Sequence, residues 1–415
     1  MLGCMLRRSV LTTLLISCPF QCLSAPGEEL TLDQCVTLAL ERHPLIRSAE
    51  KRHQASQARI RQATAYPYPS IGYNSDLQPH LLDFVNSAES YLGVNQTFEL
   101  PRKRANRGRI AEEESREIET DIDLVKLDVI LQVKRAFNEL LLAQEKLEYA
   151  RRDAELTNDY LEKAEQKLAA GDVGRVEVLR AKVEALKAAN ALRAAEADAE
   201  LARARLNYNL ARGKGDPIRI TGRLDVPFSD LNLEALRKEA EVSRPELKRL
   251  QFSIKREVHT QEGARLSNWP DLDFNLSSHR LENEPTTWSF TVTVPLPFLF
   301  KQRQKAEIAE AQANIGALER EADQVRNTIM LDVEEAYTNA QRARNEITLL
   351  QDQILPQAQE VYEMLVFSYQ EGEIGGIELI EARRTLNESR KSYADALYGY
   401  ALALAVLDRA VGRMP

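Results

Sequence analysis

The chain has 415 residues, a formal net charge of −8 and a charged fraction of 28%. Glycine and proline are scarce, aromatic residues make up 6%, and long stretches consist mainly of Ala, Glu, Leu, Arg, Lys and Gln, a composition typical of long helices stabilised by contact with other helices. The mild acidity and the interleaved charges provide no basic surface for nucleic acid, so nucleic-acid binding is excluded as a function.

The first 25 residues are predicted to be a targeting signal. An arginine pair precedes an apolar run at 10–16, which is too short to cross a bilayer as a helix. Two processing routes stay open. The run Leu-Ile-Ser-Cys resembles a bacterial lipobox and would leave Cys18 as an acylated first residue, and ordinary cleavage near Ala25 is the alternative. Either route exports the protein.

Two copies of one pattern follow each other, at 30–229 and 230–413, with an offset of about 200 positions. Pro44 in the first copy corresponds to Pro245 in the second, and near the end of each copy the runs GDVGR and GEIGG correspond. Because one offset holds at both ends of the repeat, the sequence indicates an internal duplication.

Each copy predicts two short helices, two strands, a long helix and a returning helix. The strands are expected at about 70–78, 90–98, 271–280 and 286–294, and the long helices at about 103–169 and 302–371. A helix of about 66 residues is a rod of roughly 100 Å. Pro356 lies inside the second long helix and is expected to kink it, since the helical pattern continues on both sides.

The strand segments alternate between apolar and polar residues, as in Trp288, Phe290 and Val292 with threonine and serine between them. This pattern favours strands with one face in lipid, and hairpins half-buried on a soluble protein are the alternative. Four strands cannot close a barrel, and hydrocarbon does not tolerate an open sheet edge. The predicted fold is therefore mostly α with a small β part: long coiled helices and four strands per chain, trimerising into a 12-stranded outer-membrane β-barrel on a long periplasmic α-helical barrel.

With this order of elements over residues 30–412, the chain resembles the TolC-like outer-membrane factors, the exit ducts of tripartite efflux and type I secretion systems. The run QTFELPRKR, which ends at Arg104, is similar to the CzcC/CusC heavy-metal branch, although Arg102 stands where that branch tends to have glycine. The resemblance implies a passive homotrimeric conduit in the outer membrane of a Gram-negative bacterium. It also implies an inner-membrane RND-type transporter, a periplasmic adaptor (membrane fusion protein) and small solutes as cargo, divalent heavy-metal cations on this branch.

The resemblance also implies site residues. The adaptor would contact the two glycine-rich reversals, at Gly171, Val173, Gly174, Arg175, Gly372, Ile374, Gly375 and Gly376. These residues are also explained as helix-ending turns, and both explanations can hold. Glu378 and Glu381 fall where the family carries a ring of gate carboxylates, although acidic residues are common on such helices. Tyr369 and Glu177 fall at the tyrosine and acidic positions of the family's latch, whose arginine position is occupied by Ile374.

The sequence predicts no catalysis. Its five histidines are scattered without metal-ligand spacing, and it has no phosphate-binding glycine loop, so no cofactor and no resident metal are expected. Two alternatives to metal efflux stay open: a drug or type I protein secretion duct of the same family, and a periplasmic coiled-coil scaffold. The long helices alone would be adequate for a scaffold, but a scaffold has no use for alternating strands in both copies.

Overall fold

The computed structural model describes residues 29–76, 87–213, 215–224 and 227–414. The targeting signal with Cys18 and the end of the first predicted strand, residues 77–78, lie outside the described residues. Among the helices of the described ranges, none combines the length and the apolar character needed to cross a membrane.

The two repeats contain the same order of elements. The first has β1 (Glu29–Leu30), α1 (Leu32–Arg42), α2 (Pro44–Ala63), β2 (Ser70–Asp76), β3 (Glu89–Phe98), α3 (Pro101–Ala170) and α4 (Arg175–Asn209). The strand β4 (Arg219–Ile220) lies in the segment that leads into the second repeat, which has α5 (Leu233–Ser243), α6 (Pro245–Leu266), β5 (Leu272–Leu281), β6 (Thr287–Thr293), α7 (Gln302–Leu349), α8 (Leu355–Gln370) and α9 (Gly376–Val411). The short strands β1 and β4 pair in parallel and connect the start of the first repeat to the segment that leads into the second.

Local sequence sets the helix ends. The Thr31 hydroxyl accepts a hydrogen bond from the Gln34 amide (3.4 Å), and the Gln34 side chain accepts one from the Thr31 amide (2.8 Å), which forms a capping box at the start of α1. His43 then adopts an extended conformation because the residue before a proline avoids the helical region. Pro44 begins α2, where the proline's missing N–H costs no helical hydrogen bond.

The long helices pack side by side as a wall. The helix α3 has 70 residues, a length of roughly 105 Å, and lies between α4 and α9; α9 in turn packs on α7 and α8. The seam of α4 on α3 is made of small buried side chains, which allow close approach: Ala181, Ala185, Ala188, Ala199 and Ala202. Within the described chain, α4 and the α7–α8 pair are therefore the two edges of this wall.

The second long helix is interrupted. Between α7 and α8, residues Leu350–Ile354 form a π-helical turn, and Pro356 is the second residue of α8. Proline lacks an N–H and its ring crowds the carbonyl four residues earlier, and a π turn just before it relieves both conflicts. The chain thus passes Pro356 without leaving the wall.

A four-stranded antiparallel sheet continues the wall at the end opposite the helix reversals. Its strand order is β2-β3-β5-β6, so each repeat contributes one hairpin. The register pairs Val94 with Leu276 and Leu276 with Phe290, which collects the apolar side chains on one face. The other face is polar. In the described residues, β2 and β6 have no further strand beside them, so the sheet has two open edges.

A compact core of the second repeat lies where α5, α7 and α9 meet. Arg244 is buried there, and its guanidinium donates to the last carbonyls of α9, those of Arg409 (3.1 Å) and Ala410 (3.2 Å). It also forms an ion pair with Asp332 at 3.1 Å. Because a helix C-terminus carries partial negative charge, this buried arginine satisfies both the helix end and an acidic side chain.

Cys35 lies in the corresponding core of the first repeat and is a free, fully buried thiol. Burial raises its pKa to about 11, so the thiol stays protonated at neutral pH. The side chain therefore acts as a small apolar residue in the core between α1 and α3.

Candidate functional site at the helix reversals

The two reversals at the far end of the wall have the same backbone geometry. Gly171 and Gly372 end their helices with φ of +86° and +79°, the left-handed conformation that favours glycine. In each turn, the amide after this glycine donates to the carbonyl five residues earlier, at 2.9 Å in both. A second glycine, Gly174 or Gly375, then precedes the returning helix in an extended conformation. The duplication thus extends to the hydrogen bonds of the turns.

Tyr369 joins three helices just inside the reversals. Its hydroxyl donates to the Glu177 carboxylate at 3.1 Å, which connects α8 to α4. The Lys167 ammonium of α3 donates to the Tyr369 carbonyl at 2.9 Å and lies 4.1 Å from the centre of its ring. The ring of Tyr160, also on α3, packs against Tyr369 with centroids 5.5 Å apart. Burial, with Glu177 nearby, raises the pKa of both tyrosines, that of Tyr160 to about 12, so both hydroxyls stay protonated at neutral pH.

Gly376 makes this packing possible. A Cβ atom at this position would lie 1.8 Å from the Tyr160 hydroxyl oxygen and 3.0 Å from a Glu177 carboxylate oxygen. Gly376 is the first residue of α9, so its missing side chain lets α9 begin directly on the tyrosine pair. The corresponding residue of the first repeat is Arg175, which is exposed. The two reversals therefore share a backbone but differ in how their helices pack.

A buried ionic network lies one to two turns further along the same helices. The Arg383 guanidinium of α9 is only 9% exposed and binds Asp153 of α3 at 2.5 Å and Glu184 of α4 at 3.0 Å. Arg384 binds the same Glu184 at 2.5 Å, and Asn387 donates to Asp153. Three helices from both repeats are thus held by one network.

Glu184 is the common acceptor of this network. Burial alone would raise the pKa of its carboxyl, but hydrogen bonds from Arg384 and Lys187 outweigh burial and hold that pKa below its ordinary value. Glu184 is therefore ionised at neutral pH, and its charge is compensated by neighbouring cations within 3.1 Å. A buried charge that is paired in this way stabilises one arrangement of the helices, because losing a partner leaves the charge uncompensated.

A shallow groove runs between α4 and α9 beside the network. Its walls are apolar, with Leu179 and Val183 on one side and Ile380 on the other, and Arg180 and Glu381 line it from opposite helices. Such a groove exposes apolar surface that an elongated protein segment can cover.

The predicted gate residues divide into two groups. The structure brings Tyr369 and Glu177 into direct contact. Glu378 and Glu381 lie exposed on the first two turns of α9 and form no ion pair with another described residue. Ile374, which stands at the arginine position of the family latch, instead packs against the tyrosine pair.

The eight residues predicted to contact an adaptor lie in the two reversals, as their spacing requires. Five of them are exposed: Gly171, Gly174, Arg175, Gly372 and Gly375. Val173 and Ile374 are half-buried, and Gly376 is buried. The surface open to a partner is thus mainly glycine backbone with one arginine.

Sequence reasoning missed Tyr160, Lys167 and the network around Arg383. One signal was present: Glu184 falls on the buried face of α4, where the neighbouring buried positions are alanines. A charged residue in such a seam requires a buried partner. In the described part of the chain, no three His, Cys, Asp or Glu side chains come together as a metal site.

The fold and the site define an elongated helical wall with one amphipathic sheet, a protein of the outer-membrane channel class. Residues 35–212 and 236–413 match the family model described as "Outer membrane efflux protein". The chain belongs to this family, and the predicted resemblance is confirmed. The family consists of passive outer-membrane channels, so the prediction that the chain is not an enzyme is confirmed as well.

Individual relatives support the same assignment. The chain is 26% identical over 401 residues to the cobalt-zinc-cadmium resistance protein CzcC of Cupriavidus metallidurans, covering 92% of this chain and 90% of the relative. In structure it is similar to CusC (TM-score 0.76, 18% identity, 92% and 91% of the two chains covered). It is also similar to the open state of the MtrE channel of Neisseria gonorrhoeae (TM-score 0.75, 18% identity, 92% and 88% covered). The predicted mostly helical fold with a small sheet is confirmed.

Proposed function

We propose that this chain is the outer-membrane component of a tripartite efflux system, a passive homotrimeric conduit that exports divalent heavy-metal cations. The observation that carries the proposal is the position of the open edges. In the helical wall they are α4 of the first repeat and α7–α8 of the second. In the sheet they are β2 of the first repeat and β6 of the second.

Open edges at these positions can be covered if several copies of the chain assemble into a closed ring. A head-to-tail contact between copies would join the first-repeat edge of one chain to the second-repeat edge of the next, in the wall and in the sheet at once. Strands alternate in direction through β2-β3-β5-β6, so β6 of one copy lies antiparallel to β2 of the next. Three copies give a closed ring of twelve strands, which leaves no unpaired edge in a membrane.

The charge on the polar face of the sheet supports a cationic cargo. This face contains Asp76, Glu89 and Asp273, and the described residues of the face include no lysine or arginine. A passage lined in this way attracts cations and repels anions. The resistance protein CzcC, a relative by sequence, is named for cobalt, zinc and cadmium, and the cargo assignment also relies on that likeness.

The helix reversals would form the gated entrance of the conduit. In this proposal, the Tyr369–Glu177 hydrogen bond and the Arg383–Glu184 ion pair hold the entrance closed. Glu378 and Glu381 are exposed near the reversals and, in three copies, would present carboxylates to cations entering the conduit. The exposed glycine turns would meet the tips of a periplasmic adaptor, which connects the conduit to an inner-membrane RND-type transporter.

Deletion of the gene, with complementation, tests the function and the cargo together. Loss of the chain should lower tolerance to zinc, cobalt, cadmium or copper, and the wild-type gene should restore it. If the deletion strain were sensitive only to drugs, or if a protein secretion system failed, metal cations would be refuted as the cargo. The proposal that the chain forms a conduit would still stand. Recovery of the protein as a soluble dimer, without heat-sensitive trimers in the outer-membrane fraction, would refute the conduit and favour a scaffold.

A further inference from the structure

The polar face of the sheet carries one histidine beside its acidic residues. His279 lies on β5, where it pairs with Tyr91 of β3 and with Thr287 of β6. Asp76 and Glu89, which pair with each other, lie on the same face near the same end of the strands. Among the residues of this face that the structure describes, His279 is the only side chain that can become cationic. It is therefore the group that can oppose the acidic charges of the face.

Contacts with two residues of β3 hold the imidazole of His279 in place. Its Nε2 atom lies 2.8 Å from Oε1 of Glu89, and the Tyr91 hydroxyl donates to the same oxygen at 2.5 Å. The ring of Tyr91 stacks on the imidazole, with the centroids 4.3 Å apart and the planes within 5° of parallel. The side chains of His279 and Glu89 are both half-buried. The imidazole therefore has one position on the polar face.

The contact with Glu89 determines which nitrogen of the ring can take up a proton. An ionised carboxylate only accepts hydrogen bonds, so Nε2 carries the hydrogen in this contact. Nδ1 is then the nitrogen with a free lone pair in the neutral ring. A proton added to Nδ1 leaves the hydrogen bond to Glu89 intact and converts it into an ion pair. Protonation of His279 therefore requires no rearrangement of the sheet.

The titratable side chains around His279 are acidic or phenolic. They are Glu89 and Tyr91 of β3, Asp76 of β2, and Glu282 and Glu284 of the turn that follows β5. On this face β6 contributes only serine and threonine, and Arg280 belongs to the opposite face because successive residues of a strand alternate. Of these residue types, histidine is the one whose charge ordinarily changes between about pH 5 and 8. A change of pH within that range therefore alters the charge of this region through His279.

From this arrangement we infer that His279 sets how strongly the passage prefers cations and makes that preference depend on pH. The inference rests on the proposed conduit, in which the polar face lines the passage. With a neutral imidazole, the described part of the face carries three acidic residues in each copy, Asp76, Glu89 and Asp273. A protonated imidazole cancels one of these three charges in each copy. The passage then attracts cations less strongly in acid than at neutral pH.

The ion selectivity of purified full-length trimers in a planar bilayer tests the inference. In a KCl gradient around 0.1 M, the ratio of K⁺ to Cl⁻ permeability is read from the reversal potential. From about pH 7.5 to about pH 5.5 this ratio should fall at least about two-fold, the effect of one unit charge roughly 8 Å from an ion in water. His279→Gln keeps a donor for Glu89 but cannot take up a proton, so the high ratio should persist at both pH values. His279→Lys is cationic throughout and should give the low ratio at both.

A second histidine provides the matched control. His259 lies on α6, outside the sheet, and His259→Gln should leave the pH dependence of the permeability ratio unchanged. In about 1 M KCl the difference between the two pH values should largely disappear, because salt screens the charges. A ratio that does not change with pH in wild type, a pH dependence that survives in His279→Gln, or one that is lost in His259→Gln would overturn the inference and leave the conduit standing. If assembled wild-type trimers conduct no ions at all, the proposed function is overturned with it.

Discussion

Glu184 is the residue at which one substitution should loosen the helix reversals most. Glu184→Ala leaves the buried Arg383 with one acidic partner instead of two and removes the partner of Arg384. Removal of one member of a buried ion pair costs about 3–5 kcal/mol. We expect the lower end, about 3 kcal/mol, because Arg383 keeps Asp153 at 2.5 Å and Arg384 is half exposed and can return to water.

Hydrogen exchange measures this loss locally. A cost of about 3 kcal/mol corresponds to roughly a 100-fold larger population of the opened state. Amides at 380–390 of α9 should therefore exchange about 100-fold faster, while those near the end of α9, held by Arg244, should change little. Glu196→Ala is the matched control, because Glu196 is exposed on the same helix and forms no ion pair with a described residue. Equal exchange at 380–390 in the two variants would refute the role assigned to the network.

Three further predictions concern packing, the core and pH. Gly376→Ala should weaken the helix packing at the tip by about 1–3 kcal/mol, because its Cβ would lie 1.8 Å from the Tyr160 hydroxyl oxygen. The single-channel conductance of the variant should therefore rise, and a second substitution, Tyr160→Phe, should partly reverse the rise. An unaltered conductance would contradict the argument. Arg244→Ala should lower the free energy of unfolding by about 3–5 kcal/mol, and with it the melting temperature of the whole protein. The reason is that Asp332 loses its ion pair and the end of α9 loses hydrogen bonds to its carbonyls. A melting temperature equal to that of wild type would count against this prediction. Since the pKa of Glu184 is held below its ordinary value of 4.5, its contribution is complete at neutral pH and is lost as pH falls below 4.5 through the folded-state pKa. The difference in exchange between wild type and Glu184→Ala should therefore shrink in acid, and a difference that persists at full size would show that the carboxylate charge is not its source.

Much of the fold follows from local signals in the sequence. Prolines such as Pro44 mark where helices begin, because they fix φ and carry no N–H. The alternation around Trp288 marks a strand, because successive side chains in a strand point to opposite faces. The interruption near Pro356 was predicted as a kink, but the π turn that precedes it depends on how α7 and α8 stay packed on α9. That packing is tertiary and leaves no local pattern.

The candidate site was predictable only in its backbone. Glycine marks the reversals, because Gly171 and Gly372 adopt a conformation that other residues rarely adopt. The contacts of Tyr160 and Arg383 depend on how helices more than 100 residues apart in sequence rotate about their axes. A rotation of the helix by one residue position would move Arg383 from the interior to the surface. The spacing of residues along one helix does not specify this rotation.

The two repeats have unequal roles in the hydrogen bonds between side chains at the tip. Glu177 and Glu184, which belong to the first repeat, accept the hydrogen bonds, whereas Tyr369 and Arg383, which belong to the second, donate them. Asp153, a further acceptor of the first repeat, also receives Arg383. Each of these contacts crosses from one repeat to the other, although the duplication first produced two equal hairpins. In the proposed conduit, bending within either hairpin would leave the contacts between the repeats unbroken and would not open the entrance. Opening of that proposed entrance would require the second-repeat hairpin to move away from the first, a movement that the network around Glu184 resists.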